Sequence, residues 1–98
     1  MNGETYEVFM APSAHRIYKK FDPSLQQKFQ EEAKQLAKNP HRYQELKGPL
    51  KGIYSYHFQF KNTQYRIAYR IIEDASRIEI VLVKSRQSFY EILRKVVE

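Results

Sequence analysis

GIYSYHFQF at residues 52–60 and QYRIAYRII at residues 64–72 decide the fold. Both alternate with a period of two, the signature of half-buried strands. Tyr54, Tyr56, Phe58 and Phe60 fall on one side of the first strand, with Ser55, His57 and Gln59 on the other. In the second, Tyr65, Ile67, Tyr69 and Ile71 share a face, and Arg66, Ala68 and Arg70 share the opposite one. An antiparallel hairpin joins the two apolar faces only if paired positions have an odd index sum, as with Phe58 opposite Tyr65, or Phe60 opposite Tyr65. A slip of one residue would turn one strand's aromatics into water. Either register leaves His57, Gln59 and Arg66 on one polar surface, where the chemistry is to be sought.

A third apolar run, RIEIVLVK at 77–84, adds another antiparallel strand and leads into Ser85, Arg86 and Tyr90. Upstream, Thr5 to Met10 reads as a short strand. Pro12 and Ser13 then open a helix whose Ala14, Ile17, Tyr18 and Phe21 form one apolar stripe. Asp22 followed by Pro23 is an N-cap with proline at the first helical position, and predicts a second helix to about Lys38, ended by Asn39-Pro40. The two helices are expected to cover one side of the sheet. Residues 41–51, HRYQELKGPLK, have no sustained period and contain Gly48-Pro49, so they read as a loop. Ser88 and Glu91 match a capping box before the stripe Phe89, Ile92, Leu93 and Val96, predicting a C-terminal helix. The whole is a single α+β domain over residues 1–98, with its helices packed on a small twisted sheet.

Net charge is +6. It is unevenly spread: from Lys47 onward there are ten Lys and Arg against five Asp and Glu, while the first 46 residues hold seven against six. A basic hairpin half suits a polyanion, nucleic acid first and an acidic protein segment second; the plainer alternative is a solvated, mildly basic surface. With no cysteine, no apolar run near the roughly 18 residues of a membrane span and no signal-peptide order at the start, the expectation is a cytoplasmic protein away from membranes. His15, His41 and His57 lie on a helix, a loop and a strand, so no metal and no cofactor are expected.

The order strand, two helices, three antiparallel strands, carrying LKGPLKGIYSYHF, QYRIAYRI and VKSRQSFY, resembles the RelE/ParE superfamily of bacterial toxins from type II toxin-antitoxin pairs. The resemblance runs from Tyr6 to about Val96. Its RelE-like branch comprises metal-independent, ribosome-dependent endoribonucleases that cut mRNA in the ribosomal A site. On that branch the resemblance implies a phosphate-binding role for Arg66. It implies leaving-group protonation or charge stabilisation for Arg86, and substrate orientation for Tyr90. Members often carry basic residues at two alternate positions after the tyrosine matching Tyr54; here these are Ser55 and His57. That leaves His57 as the candidate base, since an imidazole accepts a proton near neutral pH. Lys47, Lys51, Lys61 and Lys84 are the candidate phosphate contacts, with Lys51 and Lys61 as substitutes for the missing charge. The implied partners are a cognate antitoxin in a hetero-oligomer, the ribosome and mRNA. A ParE-like inhibitor of DNA gyrase, or an inactive partner-binding relative, is the alternative on the same fold.

Each candidate has a structural alternative. Arg66 can pair across the sheet with Glu79. His57 can be a half-exposed strand residue, and Arg86 and Tyr90 a helix-cap neighbour and a core-edge aromatic. The tyrosines of the two strands read as core with a polar tip rather than as an RNA stacking platform.

Overall fold

The computed structural model describes residues 5–97. In chain order its elements are β1 (Glu7–Met10), α1 (Pro12–Tyr18), α2 (Pro23–Lys38), β2 (Gln44–Glu45), β3 (Tyr54–Phe60), β4 (Thr63–Ile72), β5 (Arg77–Ser85) and α3 (Phe89–Val97). They form one five-stranded sheet in the order β1-β5-β4-β3-β2. β1 runs parallel to β5, and the other pairings are antiparallel. No helix among the described residues is long and apolar enough to cross a membrane.

The central register sets Phe58 opposite Tyr65 and Tyr54 opposite Tyr69. These pairs stack with ring centroids 5.3 and 5.6 Å apart, the cross-strand contact that stabilises a ladder. Lys61 and Asn62 make the tight turn with φ of 49° and 65°. Two positive values match the twist of the flanking strands.

The aromatic face packs against α2 through Leu25, Phe29, Ala33 and Leu36, together with Ile67, Ile78, Ile80 and Val83. Tyr69 is fully buried there, and its hydroxyl donates to the Pro40 carbonyl at 2.7 Å, which removes the cost of burying it. At the start of α2 the Asp22 carboxylate accepts from the Leu25 N–H at 2.9 Å, the expected N-cap.

The opposite face is not uniformly polar. A second core, made of Leu50, Ile53, Ala68, Val81, Leu82, Phe89 and Leu93, lies beneath α3. A β-bulge makes it possible. Ala68 pairs with Leu82, but Tyr69 pairs with Ile80, so Val81 is an extra residue in β5. Ile80 and Val83 therefore join the first core while Val81 and Leu82 join the second. Ser13 Oγ donates to the carbonyl of the bulged Val81 at 2.7 Å.

Three expectations are corrected. The stretch 41–51 contains β2, whose Gln44 and Glu45 pair with Ser55 and Tyr54, and a short 3-10 turn at Gly48–Leu50 that delivers Leu50 to the second core. α1 does not serve one face alone: it begins just after the edge strand, so Ala14 joins the first core and Ile17 reaches the second. The capping box is replaced by another geometry, because Ser88 has φ of +56°, left-handed rather than the extended backbone of an N-cap.

Candidate functional site

On the face that carries α3, three rows of side chains cross β3, β4 and β5. Ser55 lies opposite Ala68, which lies opposite Leu82. The next row is His57, Arg66 and Lys84. In the last, Gln59 pairs with Gln64, whose carbonyl accepts the Arg86 N–H at 3.2 Å. Period-two alternation keeps all three rows on one face. α3 covers Ala68 and Leu82 of the first row and leaves the other two rows open.

Tyr90, in the first turn of α3, reaches Arg66. The guanidinium Nη1 donates to the Tyr90 hydroxyl, and its central carbon lies 5.1 Å from the ring centroid. Arg66 Nε is buried and has no hydrogen-bond partner among the described residues. A buried donor left unpaired costs on the order of 1–3 kcal/mol. Burial, and then the charge of Arg66, hold the His57 imidazole below its ordinary pKa of 6.5. At neutral pH it is uncharged and able to accept a proton.

His57, Arg66 and Tyr90 are thus brought together, with Arg86 one row away on the same face. The four lysines are not. Lys84 sits beside Arg66 in register, but its ammonium is spent on the carbonyls of Ser85, at 3.3 Å, and Gln87, tying down the turn before α3. Lys61 lies 5.3 Å from the Phe60 ring centroid. Its charge also acts on Asp22, whose carboxyl is held low first by the Leu25 N–H. Lys61 therefore belongs to the α2 side of the sheet rather than to the open rows. Lys47 and Lys51 line a different, shallow hollow with Glu45 and Leu46.

Two further readings change. The residue opposite Arg66 is Lys84, not Glu79; Glu79 pairs with Arg70 at 3.3 Å. Ser55 is not part of an open polar surface but is 4% exposed, flanked by Gln44 and Ala68, and its hydroxyl has no partner among the described residues. Gln64 belongs to this face as well, since the period-two rule that places Arg66 there places Gln64 beside it. It lines an open concavity at the mouth of the site with Gln59, Asn62 and Gln87. Among the described residues no three His, Asp or Glu side chains are grouped to hold a metal ion.

A family model described as the ParE-like toxin of type II bacterial toxin-antitoxin systems matches residues 8–94. Among solved structures the chain is similar to the RelBE2 toxin-antitoxin complex from Mycobacterium tuberculosis, at 28% identity over 84% of this chain and 92% of that one, with a TM-score of 0.71. It is also similar to a free arginine-to-alanine double variant of the E. coli toxin RelE, at 16% identity over 96% of each chain, TM-score 0.76. The same variant in complex with an antitoxin RelBc peptide aligns at 14% identity over 97% of each chain, TM-score 0.67. The two E. coli likenesses speak for the fold alone. Comparison with curated proteins gives no match.

Proposed function

The chain belongs to the ParE-like toxin family of type II bacterial toxin-antitoxin systems and has a RelE-like fold, and from that premise we propose that it is a toxin that cleaves mRNA on the ribosome without a metal. The observation that carries this reading is the direct cross-strand pairing of His57 with Arg66, whose guanidinium also holds the Tyr90 hydroxyl. A gyrase inhibitor needs a binding surface; it does not need a neutral imidazole beside an anion-seeking guanidinium.

The chemistry follows from these groups. Neutral His57 takes the proton of a ribose 2′-hydroxyl, and the 2′-oxygen attacks the neighbouring phosphorus. Arg66, half-exposed on the open row, binds the phosphate and offsets the charge that grows on a non-bridging oxygen in the transition state. The bond from phosphorus to the 5′-oxygen breaks. Arg86 neutralises the departing oxygen, which takes its proton from water, since a guanidinium keeps its own at any physiological pH. The products are a 2′,3′-cyclic phosphate and a 5′-hydroxyl. Tyr90 orients Arg66 and offers its ring to a base. The cognate antitoxin is the natural partner, and an acidic segment laid over these rows would neutralise their charge and close the site.

A second reading, inhibition of DNA gyrase, is favoured by the ParE-like description of the matching family and by Ser55 standing buried where many relatives carry a basic group. Primer extension on a translated mRNA separates the two. New RNA ends in the presence of purified protein and ribosomes support cleavage; an SOS response with intact mRNA sinks it.

A further inference from the structure

We propose that the concavity formed by Gln59, Asn62, Gln64 and Gln87 beside Arg86 reads an adenine base flanking the scissile phosphate. The proposal rests on the nuclease reading and extends it to the identity of the substrate. Four side-chain carboxamides line this hollow, and no carboxylate does. None of the four makes a side-chain hydrogen bond to a described residue, so their donors and acceptors are free for a ligand.

The frame around them is held. Gln59 and Gln64 are directly opposed in the ladder. The Gln64 carbonyl is bonded to the Arg86 N–H, and the Gln87 carbonyl to the Lys84 ammonium. Asn62 sits in the tight turn. A carboxamide presents one donor beside one acceptor in a plane, the complement of adenine's N7 acceptor and N6 amino donor. Guanine offers two acceptors on that edge and suits a guanidinium instead. The hollow adjoins Arg86, so a base seated there has its backbone at the row that handles the phosphate.

The test uses the whole protein and 2′-deoxy trinucleotides, which bind but cannot be cut, differing only in one base. Titrations are followed by the side-chain amide resonances of Gln59 and Gln64. The expected result is tightest binding for adenine. Gln59→Glu and Gln64→Glu, which replace the donor by a second acceptor, each lower that preference by about tenfold while the fold is retained. Equal binding of all four bases, preference for a pyrimidine, no movement of the amide resonances, or an unchanged preference in both variants overturns the subsite. Mapping cleavage on translated mRNA keeps the two claims apart. Cutting without adenine bias removes the subsite and leaves the nuclease; adenine-selective binding without cutting does the reverse.

Discussion

Two neighbouring rows on one face of the sheet have opposite fates. Ser55, Ala68 and Leu82 are closed to solvent, Ala68 and Leu82 in the core beneath α3. His57, Arg66 and Lys84, two residues further along the same three strands, remain open. Both rows lie across the same antiparallel strands and follow the same alternation. What differs is the cover: Phe89 and Leu93 of α3 pack over Ala68 and Leu82 of one row, and Tyr90, next to Phe89, makes a hydrogen-bonded contact with Arg66 of the other. A sheet face becomes a site where its lid stops.

The sharpest way to break this comparison is to remove the seal. Phe89 is 1% exposed, so Phe89→Ala should cost about 3–5 kcal/mol of stability, read from urea unfolding. A midpoint unchanged from the native protein would mean that α3 does not define the boundary. Next comes the open row. Arg66→Ala should lower mRNA cleavage by about 10²–10³-fold while the unfolding midpoint moves little. Toxicity that survives the change in full would put the phosphate site elsewhere.

The third effect is a pH shift. His57 is held below its ordinary pKa, by burial first and by Arg66 second, so the unfolded chain binds its proton more readily than the folded one. Its contribution to stability is unaffected above the ordinary value of 6.5 and declines as pH falls below that toward the folded value. With His57 as the proposed base, the acid limb of the cleavage profile should lie below 6.5. In Arg66→Ala the His57 midpoint, followed by NMR, should move upward but not all the way, because burial remains. A downward move would mean that the two side chains do not share a field. The smallest effect is expected on the other face. Lys61→Ala should leave cleavage unchanged and cost about 0.5–1 kcal/mol from the lost contact with Phe60; a large loss of activity would return Lys61 to the open rows.

Much of this is legible in the sequence. The odd-sum register appears as Phe58 opposite Tyr65, and Asp22-Pro23 begins α2. His57 and Arg66 share a surface because alternation demands it. The cover was not legible. Ser55 and Ala68 obey the same alternation as His57 and Arg66, and nothing local marks them as buried. Lys61 stands at a strand end in the sequence, yet the left-handed turn carries its ammonium over Phe60. Gln44-Glu45 is too short to show a period, and the Val81 bulge hides within an unbroken apolar run.

The sequence by itself determined the strands, their faces and the pairing that sets an imidazole against a guanidinium, because period-two alternation and turn chemistry are local properties of the chain. Only the tertiary structure decided where that face is dry and where it is open. Burial beneath α3 depends on contacts between Leu50, Ala68, Leu82 and Leu93, residues far apart in the chain whose meeting no local pattern encodes.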